Sequence, residues 1–489
     1  MGTLLNFIHS ENWAWWRLRF LMALVGLGAG VALFRLPLAS AFLLFGGIAV
    51  VLGSLLWTPL IGVGVTLFLA PLWAWLRADW PQIDPLLGQY FFLLTVAVWV
   101  IRGLIKRDFR IPAPPLLFPF LVFMGAILLS LWTSADSATG FMEFAKWAQI
   151  SVMFFLVYDN FKGNNAEQQI VSFVLVLIGI VVFQSVFGLW QFGLRGDGPD
   201  HFAIDARFYR AYGTFEQPNP FGGFMGMMGA LLTGLFATLL LEFFQLHRKF
   251  SLWFLGLAVP LLLTVGALLA SWSRGAWMGF GAALLIMVAL LPRRSGWGLL
   301  VLSLLMLGTL GLYSADLLPA SVLSRMTGFL DYTRFEDVRG VAINDVNYAV
   351  LERMAHWQTA LDMWRENFWL GVGFGCYEPA YPDYRLINWP MALGHAHNYY
   401  LNLLAETGLL GLFAYLFFLG ALLIRLWQAV RRLDGWQRGL AIGLIGSFTH
   451  FGVHNLVDNI LVNNTHLYFG VLLALAAWLV GKSADNNKT

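Results

Sequence analysis

Long apolar segments recur along almost the whole chain, and they constrain its fold more than any other feature of the sequence. The chain has 489 residues, of which 59% are hydrophobic and only 12% are charged. A soluble domain could not bury this much apolar surface, because single cores stop growing at roughly 250–300 residues. Apolar runs of about 17–25 residues match the hydrocarbon thickness of a bilayer. The sequence therefore predicts an all-α polytopic membrane protein.

Hydropathy predicts about fourteen transmembrane helices. Their predicted starts lie near Leu18, Leu38, Pro59, Leu86, Leu116, Phe141, Ile170, Phe221, Leu252, Ala276, Gly298, Asn398, Leu440 and Leu461. Basic residues cluster in alternate connections, for example over 102–110 and 425–438, and cytoplasmic loops carry an excess of Lys and Arg. We therefore predict that both termini are cytoplasmic. The predicted divisions are N-terminal transmembrane helices over 1–212, a core over 213–480 with an external loop over 314–396, and a cytoplasmic tail over 481–489.

Charge and cysteine content argue against several classes of protein. The net charge is +3 and the basic residues lie in short loops rather than in one patch, so nucleic-acid binding is not expected. Cys376 is the only cysteine, which rules out a disulfide within the chain. Residues 1–16 show no signal-peptide pattern, and the pair Arg17/Arg19 precedes a full-length apolar span. The first helix is therefore expected to act as its own insertion signal.

The long segment over about 314–396 is the one sizeable part predicted to lie outside the membrane. Within 351–368, apolar residues recur at helical spacing and polar residues occupy the other side. This pattern predicts an amphipathic helix that lies on the membrane or over a cavity. Leu370–Gly375 (LGVGFG) superficially resembles a glycine-rich phosphate loop, but it lacks a following Lys-Ser/Thr and a βαβ context. A tight turn is the better interpretation.

A histidine-bearing segment, Gly394–Tyr400 (GHAHNYY), runs directly into an apolar helix. An ionisable group at a membrane boundary is costly unless it pairs, faces water or has a function. Polar residues continue down one face of the following helix at intervals of four. Capping of that helix by an asparagine would explain neither the carboxylate on this face nor the second histidine. The candidate site residues of this segment are His395, His397, Asn398, Asn402 and Glu406.

Two segments that contain arginine are predicted on the same side of the membrane. Ser271–Gly275 (SWSRG) is a short turn between two apolar spans, where Arg274 could snorkel to lipid phosphates or bind an anionic ligand. Arg207 and Arg210 end a loop before a glycine-rich span, and either could form only a surface ion pair of little energetic value. The guanidinium group suits phosphate oxygens geometrically. Arginines beside a histidine favour a site for an anionic leaving group, such as a diphosphate.

Metal binding by His395 and His397 is a further possibility. Two histidines can ligate zinc, but a third or fourth ligand is needed, and the nearby Glu378 and Asp383 lack diagnostic spacing. The sequence therefore favours a site without a metal. Another polar set lies near the outer end of the next-to-last span, and it suits either the lining of a cavity or a structural role. Its members are His450, His454 and Asp458.

These motifs together resemble the O-antigen ligase/polymerase superfamily of bacterial membrane glycosyltransferases. Gly213-Thr214-Phe215 with Pro218-Asn219 looks like the segment of that family that enters a central span. Ser273-Arg274-Gly275 is similar to its Ser-Arg-Gly turn. His397-Asn398, followed by Gly408 and Gly411, matches the ligase pattern and is the most specific of the three. The resemblance covers about 214–411, and the earlier spans agree in hydropathy only.

The resemblance implies a GT-C-like fold and a transfer that inverts the anomeric carbon without metal or cofactor. The donor would be a glycan on a lipid carrier of the undecaprenyl-diphosphate type, at the periplasmic or external face of the bacterial inner membrane. His397 would be the general base, and Arg274 and Arg210 would hold the diphosphate leaving group. Substrate-binding roles would fall to Arg207, Arg353, His395, Asn398, Asn402 and Glu406.

The superfamily contains several activities that the motifs do not separate. A ligase attaches a finished glycan to a lipid acceptor, a polymerase extends one lipid-linked chain with another, and some members glycosylate protein. A hypothesis from another class is a multi-pass transporter of solutes or anions such as bicarbonate. That class predicts charged residues at mid-membrane in discontinuous helices. The polar groups of this chain are predicted at the outer boundary instead, which favours chemistry at the membrane surface.

Overall fold

The computed structural model describes residues 38–72, 75, 86–107, 111–163, 165–204, 208–245, 252–293, 295–315, 317, 337–344 and 347–486. Several predictions fall on residues outside these ranges. They are the first span near Leu18, the candidate residue Arg207, residues 318–336 of the long loop, and the last three residues of the tail.

The described residues are predominantly α-helical. The helices are α1 Leu38–Leu56, α2 Leu60–Leu69, α3 Leu87–Lys106, α4 Leu117–Ser130, α5 Ser137–Asn160, α6 Ala166–Gly193, α7 Pro218–Gln245, α8 Leu252–Ala270, α9 Arg274–Leu290, α10 Ser295–Ser314, α11 Tyr348–Glu366, α12 Tyr377–Tyr384, α13 Tyr399–Arg432, α14 Gly435–His454 and α15 Thr465–Asp485. The only β-type pairing in the described part of the chain is an isolated bridge between Ala203 and Tyr209. The predicted all-α class is confirmed.

Seven of the described helices are long and apolar enough to cross a membrane. They are α3, α5, α6, α7, α10, α13 and α15. Shorter apolar helices occur at α1, α2, α4, α8 and α9. In hydrocarbon every backbone N–H and C=O must be satisfied within the segment, which a helix achieves. The protein is therefore a multi-pass membrane protein, and the number of about fourteen spans stays a prediction.

The chain forms two compact units, and the smaller comprises residues 1–112 and 152–180. In this unit Arg102 satisfies the carbonyl groups at the end of α1. Its Nη1 donates to the carbonyl oxygens of Ser54 at 2.8 Å and Leu55 at 3.1 Å. Helix ends leave such carbonyls without intrahelical partners. Arg102, one of the basic residues used to predict orientation, thus also stabilises the end of a helix.

The larger unit comprises residues 113–151 and 181–489 and contains all the described candidate residues. Glycines let its central helices α7 and α14 approach backbone to backbone. A Cβ atom at Gly234 of α7 would lie 2.3 Å from the backbone nitrogen of Gly443 in α14. Small residues permit this close approach between membrane helices, where packing rather than hydrophobicity holds helices together. Ser447 adds a hydrogen bond from its hydroxyl to the carbonyl of Met227 at 2.7 Å.

Helix α13 contains a sharp kink at Gly408, whose φ of 61° and ψ of −164° are not helical. The predicted tight turn Leu370–Gly375 packs into this kink. Val372 and Gly373 donate backbone hydrogen bonds to the carbonyls of Ala405 and Glu406, at 2.9 and 3.0 Å. A kink frees carbonyl groups from the helix ladder, and the turn supplies their donors.

The predicted amphipathic helix over 351–368 is observed as α11, Tyr348–Glu366. Leu351, Met354 and Ala355 of its apolar face are buried as predicted. The same face also buries His356, which is 1% exposed. A buried imidazole needs a polar partner, and here the hydroxyl of Tyr377 supplies it.

Candidate active site

A cavity of about 160 Å³ lies where the predicted arginine segments converge. Its polar lining comes from Arg210, from the first turn of α9 at Ser273 and Arg274, from Arg353 of α11 and from Asp458. The full lining is Arg210, Asn219, Trp272, Ser273, Arg274, Gly275, Met278, Val350, Arg353, Met354, Trp357, His454, Val457 and Asp458. Residues more than 200 positions apart thus share one cavity.

The turn before α9 orients Arg274. Trp272 takes a left-handed backbone conformation with φ of 54°. Ser273 then caps the helix, and its Oγ accepts a hydrogen bond from the backbone N–H of Ala276 at 3.4 Å. Arg274 is the first helical residue, so its side chain and the start of α9 both belong to the cavity. The N-terminus of a helix carries partial positive charge, which favours an anion there.

Arg210 is fixed to the same turn. Its Nε donates to the carbonyl of Ser271 at 3.0 Å, and its Nη2 donates to Oδ1 of Asn219 at 2.9 Å. The amide of Asn219 in turn donates to Oδ2 of Asp458 at 2.9 Å. The side chain of Arg210 is therefore held by the turn after α8 and by Asn219 of α7, which Asp458 in turn fixes.

Positive charge dominates the cavity. Arg353 lies close enough to Arg274 for like-charge repulsion. Its Nε is buried and has no hydrogen-bond partner among the described residues. Asp458 is the single acidic residue among those that line the cavity. Three guanidinium groups against one carboxylate leave an excess of positive charge, which suits a ligand with several anionic oxygens.

The loop over 394–398, called the histidine loop, lies beside this cavity. His397 has a left-handed backbone with φ of 51°. Its backbone N–H donates to Nδ1 of His395 at 3.0 Å, and the two rings are 4.5 Å apart between centroids. Nε2 of His397 is buried and has no hydrogen-bond partner within the described part of the chain. Depending on the tautomer, an imidazole nitrogen in this state can donate or accept one further hydrogen bond.

Asp458 connects the histidine loop to the arginines. Its Oδ1 lies 4.0 Å from Nε2 of His395, and its Oδ2 accepts from Asn219. Ligand atoms of His395, His397 and Asp458 all lie within 4.8 Å of one another, so this group could hold a metal ion. From the sequence, Glu378 and Asp383 were the possible third ligands. Among the described residues, the structure brings Asp458 to this position instead, because α14 and α13 are neighbours.

Burial lowers the pKa of His397 far below its ordinary value, and the nearby His395 and Arg353 act in the same direction. Burial also lowers the pKa of His356 to about 4, with a smaller contribution from His395. For His395 burial again lowers the pKa, although Asp458 opposes the effect. His397 and His356 are therefore neutral at physiological pH, and a neutral imidazole is the form that can act as a base.

Residues 259–416 match a family model described as O-antigen ligase. This stretch of the chain is similar to that family. The match contains Arg274, Arg353 and His397, whereas Arg210 and Asp458 lie outside it. It supports the superfamily that the three motifs predict. No match to a curated protein is found for the chain.

Within the matched stretch, two residues predicted to bind substrate already have protein partners. Asn398 caps α13, since its Oδ1 accepts from the N–H groups of Tyr400 and Leu401 at 3.0 Å. Asn402 accepts from the N–H of Ala396 at 3.0 Å and thereby holds the histidine loop. Both therefore position the loop, and any contact with substrate stays a prediction.

Glu406 lies below the glycine turn rather than in the cavity lining. Its Oε1 accepts from the backbone N–H of Tyr377 at 3.1 Å, and Gly375 contributes a second backbone donor. The carboxylate thus meets the start of α12, where negative charge is favourable. Glu406 therefore faces backbone donors of the protein rather than the arginine cavity, and its role in substrate binding stays a prediction.

The sequence did not predict His356, which lies within the stretch that matches the family model. Its Nδ1 shares a hydrogen bond with the hydroxyl of Tyr377 at 2.9 Å, and its ring lies 5.6 Å from that of His397 between centroids. His356 falls on the apolar face of an amphipathic helix, which is an unusual place for a titratable group. That position is the signal that could have identified it.

Proposed function

We propose that the protein is a membrane glycosyltransferase that moves a glycan from a lipid-diphosphate carrier to an acceptor hydroxyl. One observation carries the proposal: three arginines converge on a cavity beside a buried histidine whose Nε2 has no protein partner in the described residues. The arginines would bind the diphosphate leaving group, and the neutral imidazole of His397 would accept the proton of the acceptor hydroxyl. The match to the O-antigen ligase family supports this class of reaction.

The arginines supply the main electrostatic contribution to the proposed reaction. As the bond between the anomeric carbon and the diphosphate oxygen breaks, negative charge accumulates on the diphosphate. Arg274, Arg210 and Arg353, together with the start of α9, are fixed around the cavity before this charge develops. Preorganised donors of this kind stabilise the transition state without reorganisation at the moment of reaction.

His397 is the proposed general base. The acceptor oxygen attacks the anomeric carbon from the face opposite the diphosphate, and its proton moves to Nε2 of His397. The electron pair of the broken bond stays on the diphosphate, and the anomeric configuration inverts. His395 positions the base through its hydrogen bond from the His397 backbone, and Asp458 lies against the other nitrogen of His395.

The proposed reaction takes place at the external face of a bacterial inner membrane. The donor would be a glycan on an undecaprenyl-diphosphate-type lipid, and the acceptor would be a hydroxyl of a glycan, a lipid or a protein. The positions of basic residues between the predicted spans support this orientation. A transporter, the alternative from another class, has no support from the family match.

The decisive experiment measures the release of lipid diphosphate. Purified protein would be incubated with an oligosaccharide linked to undecaprenyl diphosphate and with candidate acceptors. The wild type should release the lipid diphosphate, and His397→Gln should be about 100- to 10,000-fold slower, the usual contribution of a general base.

A matched control is His201→Gln, because His201 is exposed and is not among the cavity lining residues. It should react at the wild-type rate. No release by the wild type with any acceptor, combined with solute flux in liposomes, would favour the transporter. A His397→Gln variant as fast as the wild type would remove His397 as the base.

A further inference from the structure

The last turn of α14 places a histidine at the inner wall of the arginine cavity. His454 lines the cavity, yet its side chain is 0% exposed. Its ring lies between two glycines: a Cβ atom at Gly223 of α7 would be 3.2 Å from Nδ1, and one at Gly275 of α9 would be 2.9 Å from Nε2. Side chains at these two positions would displace the ring. Gly223 of α7 and Gly275 of the Ser-Arg-Gly turn thus create the space for His454.

Neither ring nitrogen of His454 has a hydrogen-bond partner in the part of the chain that the structure describes. Leaving a buried polar group unsatisfied destabilises the folded protein. A leucine or phenylalanine would fill the same space without this cost. The chain nevertheless carries an imidazole here, beside Arg274 and Asp458 in one cavity lining. A partner that is not part of the protein would account for it.

The orientation of the ring identifies the relevant nitrogen. The edge that carries Nε2 faces Gly275, which follows Arg274 in the first turn of α9 and lines the cavity. The edge that carries Nδ1 faces Gly223 of α7. Nε2 is therefore the nitrogen on the side of the arginines and of the N-terminus of α9.

We propose that His454 is an additional anion-binding residue, which donates an Nε2–H hydrogen bond to a phosphate oxygen of the lipid diphosphate. This inference rests on the proposed function and adds a fourth side chain to the diphosphate site. The arginines supply charge, whereas His454 supplies an uncharged donor in one fixed direction. A rigid donor at the inner wall selects a ligand whose phosphate group enters fully between α9 and α14.

The test is a calorimetric titration of purified protein with inorganic pyrophosphate, which measures the affinity. The thermal transition of each variant shows whether it is folded. His454→Leu removes the donor at similar volume and should weaken pyrophosphate binding about tenfold or more, as expected for a hydrogen bond to a charged group. His454→Gln keeps an N–H donor near the position of Nε2 and should bind within about threefold of the wild type. If the leucine variant does not fold, His454→Phe provides a second apolar substitution.

His450→Gln is the matched control. His450 lies one turn earlier on α14, and the centroids of the two imidazole rings are 5.5 Å apart. His450 is also fully buried, but it is not among the described residues that line the cavity. Its variant should bind pyrophosphate within about twofold of the wild type. Equal losses at both histidines, or unchanged affinity in a folded His454→Leu, would overturn the proposal.

The same proteins also separate this inference from the proposed function. If the wild type releases lipid diphosphate and binds pyrophosphate while the His454 variants bind equally well, only the role of His454 is wrong. If the wild type binds neither pyrophosphate nor the lipid-linked donor, the proposed function is wrong and the inference fails with it.

Discussion

At the scale of single residues, three motifs share a left-handed backbone at a residue that is not glycine. Glu216, Trp272 and His397 have φ values of 66°, 54° and 51°. Such conformations cost of order 1–3 kcal/mol and persist where the surrounding structure holds them, often at functional sites. Trp272 lines the cavity and His397 is the proposed base, whereas Glu216 turns the chain three residues before Asn219 of the cavity lining. The conformation of these three motifs therefore depends on strained backbone geometry as well as on their functional side chains.

Arg274→Lys should slow transfer about 10- to 100-fold, since a lysine cannot reproduce the paired hydrogen bonds of a guanidinium group. The release of lipid diphosphate measures this effect. The control is Arg365→Lys, because Arg365 is exposed and pairs with Asp362 at 2.7 Å on α11. A lysine variant at 274 with the wild-type rate would indicate that Arg274 only contacts lipid headgroups.

The pH dependence of kcat/KM follows from the lowered pKa of His397. The base must be neutral to work, and a lowered pKa keeps it neutral well below the ordinary value of about 6.5. We therefore expect kcat/KM to stay constant from about pH 8 to about pH 6 and to fall only in more acidic solution. An acid limb centred at pH 6.5 or above would contradict this assignment.

Chelation tests the metal-like arrangement of His395, His397 and Asp458. The proposed mechanism uses His397 as a free base, so dialysis against EDTA should leave transfer unchanged. Loss of activity in EDTA, with recovery on addition of Zn²⁺ but not of Mg²⁺, would instead assign these three residues to a metal site.

At the scale of elements, the kink of α13 connects the ligase motif to the glycine turn. Gly408, the first glycine of that motif, permits a backbone conformation that L-residues avoid. A Cβ atom there would lie 2.3 Å from the carbonyl carbon of Trp369. Glu406, two residues earlier, then accepts hydrogen bonds from the turn and from the start of α12. The motif thus specifies how the loop before α13 is held, in addition to containing the proposed base.

Gly408→Ala should destabilise the protein by at least about 1–2 kcal/mol, the cost of left-handed backbone for a residue with a Cβ atom. The thermal transition of the detergent-solubilised protein measures this change. Gly420→Ala is the control on the same helix, since among the described residues no atom beyond its chain neighbours and the adjacent backbone of its own helix lies within 4 Å of a Cβ atom there. It should be neutral or slightly stabilising, because alanine favours helix. Equal transitions for both variants would show that the kink does not depend on Gly408.

At the scale of the whole molecule, the larger unit combines long apolar helices with the polar segment that carries α11 and α12. Both polar helices pack against the start of α13, so the proposed base is held by protein on several sides. The predicted orientation places this segment outside and the basic end of α13, with Arg431 and Arg432, inside. That orientation is open to direct measurement.

Cysteine labelling tests the orientation, because Cys376 is the only cysteine of the chain and is buried. Cys376→Ser gives a cysteine-free background. In intact cells a membrane-impermeant maleimide should label Ile387→Cys, since Ile387 is 96% exposed, and should not label Arg432→Cys. Arg432→Cys should become reactive after the membrane is permeabilised. The reverse pattern would invert the topology and place the cavity on the cytoplasmic side.

Much of the architecture could be predicted from sequence because apolar periodicity is a local property. The class of the fold, the amphipathic helix before residue 368 and the tight turn at Leu370–Gly375 all depend on residues close together in the chain. The residue types of the candidate site were also predictable, because arginine and histidine at a membrane boundary are costly unless they pair, face water or have a function. The substrate roles of Asn398 and Asn402 were harder to predict, because the same amide groups can instead cap a helix, as Asn398 does, or hold a loop, as Asn402 does.

The sequence by itself determined a helical membrane protein with arginine and histidine motifs of the O-antigen ligase type. Only the tertiary structure decided which of these residues meet: Arg353 joins Arg210 and Arg274, and Asp458 reaches His395. It also placed His454 in the arginine cavity and Glu406 outside it. The physical reason is that convergence depends on how close α7, α9 and α14 approach one another, and glycines at their contacts control that distance.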